Sequence, residues 1–140
     1  MEDRSLTLIQ SWVQLSGILK NSRFTKELSY NEAIIMLQLY QANGQPVSIR
    51  DITARTHMLK SLVNRTVNAL ESKGLIRRCE FEGDRRVCNI EAVPEKMDVF
   101  LQVHSSSMEI AKKISQIIGP EDTEAFIRIV EKLAHSGYHL

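Results

Sequence analysis

No apolar run in this 140-residue sequence is longer than Ala33–Leu37, far short of the roughly 20 residues that a membrane-crossing helix needs. The opening Met-Glu-Asp-Arg carries no apolar stretch of the kind found in a signal peptide. The expectation is a cytoplasmic protein without a membrane partner, whose thiols stay reduced by default. Cysteine is scarce, with only Cys79 and Cys88. No paired-cysteine metal pattern, HExxH, glycine-rich phosphate loop or nucleophile elbow occurs, so enzymatic chemistry is not expected. His135 and His139 have metal-friendly spacing, but Gly137 interrupts them in a tail expected to fray. No metal or other cofactor is therefore expected. Repeats, linkers and low-complexity segments are also missing, and the length suits one domain, or one small domain carrying extra helices.

A net charge of +1 points to no partner, but its distribution does. Between Arg50 and Arg86 nine Lys/Arg stand against five acids, while the remainder is net acidic. A basic middle segment is a footprint for phosphate.

The apolar spacing predicts a first helix over 5–20, carrying Leu6, Ile9, Trp12, Val13 and Leu19. Ser29-Tyr-Asn-Glu32 is a capping box. It opens a second helix through Ala33, Ile34, Leu37 and Tyr40, ending at Asn43-Gly44. After a short extended piece at Pro46-Val47, Ser48 and Asp51 cap a short helix over Ile49–Thr56. A turn at His57-Met58 leads into a helix over about 59–73, with Val63, Val67 and Leu70 inward and Gly74 as its stop. The period then changes to two. Residues 75–92 read as a β-hairpin turning at Gly83-Asp84. Pro94 starts a long helix to about Ile118, and Gly119-Pro120 ends it and opens another through Phe126, Ile127, Val130 and Leu133.

This order is mainly α with a small β-hairpin (α+β): a winged helix-turn-helix over 29–92, flanked by helices at 1–28 and 93–140. In such an arrangement the second helix of the pair lies in a major groove. With Val63, Val67 and Leu70 buried, its opposite face presents Lys60, Ser61, Asn64, Arg65 and Asn68, none of them acidic. Arginine can bond guanine bidentately and asparagine adenine, while lysine and serine reach bases or phosphates. Any surface helix is polar outside, so the basic hairpin beside it carries part of the weight. Its tip holds Asp84, Arg85 and Arg86, placed for a minor groove whose negative potential favours guanidinium. A solvated turn of mixed charge is the plain alternative for the tip alone.

The run DITARTHMLKSLVNRTVNALESKGLIRRCEFEGDRRVCNI, ending at Ile90, resembles the MarR family (multiple antibiotic resistance regulators). The resemblance lies in Leu70-Glu71, Gly74-Leu75-Ile76, Arg78 and Asp84-Arg85-Arg86, and the flanking helices extend it over nearly the whole chain. It implies a homodimeric winged-helix repressor or activator whose terminal helices interlock between chains. Two recognition helices would meet successive major grooves of a pseudo-palindromic operator on double-stranded DNA. Arg86 matches the motif arginine of the wing, with Asp84 supporting it. The dimer would also cover the apolar faces of residues 6–19 and 110–133. Two departures stand out. Ala92-Val93-Pro94-Glu95-Lys96 replaces the usual Leu-Thr-x-x-Gly, and Leu59-Lys60 stands where many relatives cap the recognition helix with Ser or Thr. A module that docks protein rather than DNA is the alternative from another class.

The resemblance also implies an effector site, since relatives commonly bind small aromatic or phenolic ligands and some sense oxidants or zinc. Trp12, Tyr40, Phe100 and His104 could line such a crevice, although their spacing is equally that of core. With Gly83-Asp84 as a two-residue turn, Cys79 faces Cys88 across the hairpin as a non-hydrogen-bonded pair, Cα atoms about 4.5 Å apart. That separation allows a strained, reducible disulfide. Two small apolar side chains on the inward face of the wing satisfy the same pattern.

Overall fold

The computed structural model describes residues 3–21, 28–79 and 88–137. They fall into two compact units, one ending at His104 and the other beginning at Ser105. In the first unit, α1 (Ser5–Asn21) exposes Leu6, Leu8, Ile9, Trp12, Val13 and Ile18.

α2 (Tyr30–Gln41) begins at the capping box expected of Ser29-Tyr-Asn-Glu32. The Ser29 hydroxyl accepts from the Glu32 amide at 3.2 Å, and Glu32 Oε1 accepts from the Ser29 amide at 2.8 Å. Its buried row is Glu32, Ile35, Met36 and Leu39. Of the apolar residues read along the helix, Ala33 and Leu37 pack partly buried against the core and Tyr40 is exposed. The helix is apolar on most of its circumference, so spacing alone does not select the inward side.

Glu32 is tolerated in the buried row because it is paired. Lys73 Nζ lies 2.8 Å from its Oε1, while Oε2 has no hydrogen-bond partner among the described residues. Burial alone would raise the Glu32 carboxyl. Lys73 and the Ser29 amide and hydroxyl more than offset it, so the group ionises below the usual carboxylate range. The pair ties the start of α2 to the end of α4.

α3 (Ile49–Thr56) is capped by the Ser48 hydroxyl, which accepts from the Asp51 amide at 3.0 Å. His57 takes a left-handed conformation (φ 58°) that ends the helix. α4 (Lys60–Ser72) follows, with Leu59 at its N-cap making no side-chain cap bond. The N-cap position thus falls on the leucine itself, and that leucine is 74% exposed. Val63, Val67 and Leu70 are fully buried. They pack with Ile35, Met36, Ile52, Ile90, Phe100 and Val103 in one core.

Three antiparallel strands complete this unit in the order β1–β3–β2: β1 (Val47–Ser48), β2 (Ile76–Cys79) and β3 (Asn89–Ala92). The register pairs Arg77 with Glu91, Arg78 with Ile90, and Cys79 with Asn89. It is one residue away from the register that a two-residue Gly83-Asp84 turn would set, so Cys79 does not face Cys88. Since successive strand residues point to opposite faces, that slip sends the two thiols to different sides of the hairpin. The turn itself lies outside the described residues. At the exit of the hairpin, Pro94–Lys96 forms one turn of 3-10 helix with proline at its start, accommodating the departure from the family sequence there.

α5 (Met97–Ala134) runs into the second unit and is broken at Gly119 (φ 85°, ψ 166°), next to Pro120. The expected division into two helices therefore holds. The Thr123 hydroxyl donates to the Gly119 carbonyl at 2.7 Å, stabilising the second helix where it restarts. Within this unit Ile117 (83%), Phe126, Ile127, Ile129, Val130 and Leu133 are exposed.

A carboxylate with a depressed folded-state pKa adds stability above its unfolded value, and that stability is lost as pH falls through the folded value. Glu32→Gln should therefore destabilise the protein at pH 7 by about 1–2 kcal/mol, a modest figure because Lys73 is 43% exposed. Urea titrations of both proteins should converge as pH drops below 4.5, the ordinary value. A gap that does not narrow at all as the pH is lowered below 4.5 would mean the ion pair is not its source.

Candidate nucleic-acid interface

The rotation of α4 places Lys60, Ser61, Arg65 and Asn68 on its exposed side, with Asn64 half-buried at the edge. Thr66, on the inward side, satisfies its hydroxyl by donating to the Leu62 carbonyl at 2.7 Å. Among the described residues Lys60, Ser61, Asn64 and Arg65 have no side-chain hydrogen bond or ion pair. Four polar side chains on one helix, none bonded to another described residue, are available for an external partner. The first turn of α4 carries no acid, so the positive end of the helix dipole is not neutralised there.

Asn68 differs from the other four. Its Oδ1 accepts from Arg78 Nη2 at 2.6 Å. Arg78 Nη1 lies 3.1 Å from Cys88 Sγ, and Nε is 3.4 Å from Glu71 Oε2. The contact with the Cys88 thiol, followed by the Glu71 carboxylate, holds the guanidinium above its ordinary pKa against partial burial. Arg77 pairs with Glu91 across the strands at 2.6 Å. Both arginines at the base of the hairpin are thus engaged within the fold. Asp84, Arg85 and Arg86 lie outside the described residues.

Three of the four residues expected around an effector crevice come together. Tyr40 stands 5.4 Å from Phe100 and 5.2 Å from His104, ring centre to ring centre. Phe100 and His104 stack at 5.5 Å. Phe100 is buried, His104 half-buried and Tyr40 exposed, so the cluster runs from core to surface. Trp12 sits exposed on α1.

The cysteines are both free. Cys88 shares its side of the sheet with Arg78 and Ile90, and Cys79 shares the other with Arg77 and Glu91. Burial, then the neighbouring Glu91, pushes the Cys79 thiol up. A raised thiol pKa makes a poor nucleophile at neutral pH. Sequence reasoning missed the engagement of Arg78 by Asn68 and Glu71. The one signal for it was the spacing of Asn68 and Glu71, three residues apart and hence neighbours on one helical face.

Residues 27–87 match the MarR family model. No curated protein matches the sequence. Among solved structures, the transcriptional regulator BldR from Sulfolobus solfataricus is 23% identical, with a TM-score of 0.77 over 95% of this chain and 97% of that one. The PcaV transcriptional regulator from Streptomyces coelicolor, in complex with its natural ligand, superposes over 99% of both chains with a TM-score of 0.80 and 15% identity. BpsR from Bordetella bronchiseptica, whose DNA binding is regulated by 6-hydroxynicotinic acid, matches over 96% of this chain and 94% of its own. Its TM-score is 0.80 at 14% identity.

With the two thiols on opposite faces and Cys79 poorly ionised, mild peroxide should form no Cys79–Cys88 disulfide. Non-reducing peptide mapping after treatment should recover both cysteines in separate peptides. A crosslinked peptide would reinstate the pair.

Proposed function

We propose that the chain is a MarR-family winged-helix transcriptional regulator, the family whose model its residues 27–87 match, and that it acts as a homodimeric repressor binding a pseudo-palindromic operator. The observation that carries this reading is the row Lys60, Ser61, Asn64 and Arg65 on α4, polar, free of acids and with no side-chain partner among the described residues. A second helix-turn-helix helix presents such a row to base edges and phosphates in the major groove. Arg85 and Arg86, with Asp84 beside them, would follow the groove's neighbouring backbone into the minor groove.

Dimerisation is supported by the apolar side chains left exposed on α1 and on the second unit. Monomeric proteins rarely leave contiguous apolar faces in water, and a two-fold dimer buries the same patch on each copy. A cytoplasmic setting goes with the proposed DNA target. Among the described residues no helix is long and apolar enough to cross a membrane. The cluster of Tyr40, Phe100 and His104 supports a small aromatic effector, whose ring would stack on those already present and whose polar group would meet the imidazole. Trp12 would join it only if the partner protomer's approach brings α1 close.

Selection of duplexes from a random pool should return an inverted repeat. Affinity for it should fall steeply with salt, as expected when several phosphates are neutralised. Arg65→Ala should cost about 1–3 kcal/mol and relax preference at particular base pairs. Arg86→Ala should weaken binding while the dimer persists in sedimentation. A protein that ignores duplex DNA even at low salt would instead be a module for docking protein.

A further inference from the structure

We propose that Arg78 is a positioning residue for base recognition, fixing the Asn68 carboxamide so that Asn68 meets DNA as a hydrogen-bond donor and reads guanine rather than adenine. The inference rests on the DNA-binding reading above and goes beyond it. A guanidinium has five N–H donors and no acceptor. Only the amide oxygen can therefore face Arg78 Nη2 at 2.6 Å, since the opposite orientation would set N–H against N–H. Arg78 is itself held at two further points, Cys88 Sγ and Glu71 Oε2. It also stands on β2 opposite the fully buried Ile90. The carboxamide oxygen is thus turned toward the hairpin, and its Nδ2 has no partner among the described residues.

The chemistry of the bases then decides what Asn68 can recognise. Adenine offers a donor at N6 and an acceptor at N7, and a bidentate asparagine needs its oxygen and nitrogen side by side in the groove. One of the two lone pairs of the Asn68 oxygen is taken by Arg78, which turns the oxygen toward the hairpin and leaves the nitrogen as the unengaged edge. Guanine offers only acceptors, N7 and O6, on the same edge. An amide that presents its N–H donors to the groove suits guanine.

The test is base preference, a ratio that does not depend on the fraction of protein folded. Random-pool selection with the wild-type protein should show one position per half-site where guanine is favoured over adenine by roughly tenfold, and Asn68→Ala should erase that preference alone. Arg78→Met frees the carboxamide and should turn the preference at that position toward adenine. Asn68→Ala added to it should remove the adenine preference again. Arg78→Lys, which keeps a donor-only cation, should retain guanine. Should Arg78→Met fail to fold, wild type and Asn68→Ala still decide the matter. A wild-type adenine preference that Asn68→Ala erases overturns the proposal, as does an Asn68→Ala protein with every preference intact. A folded Arg78→Met protein with unchanged preferences does the same. If no duplex is recovered at all, the DNA-binding reading fails and takes this inference with it.

Discussion

Val63, Val67 and Leu70 are fully buried against Ile35, Met36, Ile52 and Ile90, and their burial fixes the rotation of α4 about its own axis. Residues at four- and three-residue spacing line one face of a helix, so fixing those three also fixes what points away. Lys60, Ser61, Arg65 and Asn68 are outward because the core leaves them nowhere else to go. A rotation of one residue, about 100°, would expose a valine and bury a charge, each unfavourable by a few kcal/mol. The Lys73–Glu32 pair at the end of the helix and the Ile49–Thr56 helix before it hold the same orientation from both ends. The interface is thus a by-product of close packing on the other side, which makes it rigid without any contact of its own.

This explains why most of the architecture was legible from the residues. Caps at Ser29 and Ser48, the stop at Gly74 and the break at Gly119 are local devices, each written in two to four neighbouring residues. The valines and leucine of α4 recur with an unambiguous period. α2 was harder because its apolar residues surround the helix, and its inward row includes a glutamate whose partner lies 41 residues away. No local pattern announces that a carboxylate will be buried beside a distant lysine.

The hairpin itself was read correctly and only its register was not, for a related reason. Alternation identifies strands, but register depends on how many residues the turn absorbs, and Gly83-Asp84 did not determine that number. A single residue of slip replaced a facing cysteine pair with Cys79 opposite Asn89. It also placed Arg78 on the side of the sheet that meets α4, where it acquired Asn68, Glu71 and Cys88 as partners. Two residues that looked equivalent at the base of the wing, Arg77 and Arg78, therefore ended on opposite faces with different work. Among the proposed base-reading side chains, the one nearest the wing is the one whose freedom the wing restricts.

Gly119 has a φ of 85° with ψ of 166°, a combination that only glycine adopts without strain. An unbroken helix carries its angular phase from end to end, so an insertion anywhere would rotate every apolar residue after it. The break erases that memory. Ile114 and Ile117 before it, and Phe126, Ile127, Val130 and Leu133 after it, belong to two independent phase counts. Each helix can drift in length or pitch during evolution without turning the other's apolar stripe away from whatever it covers, provided position 119 stays glycine.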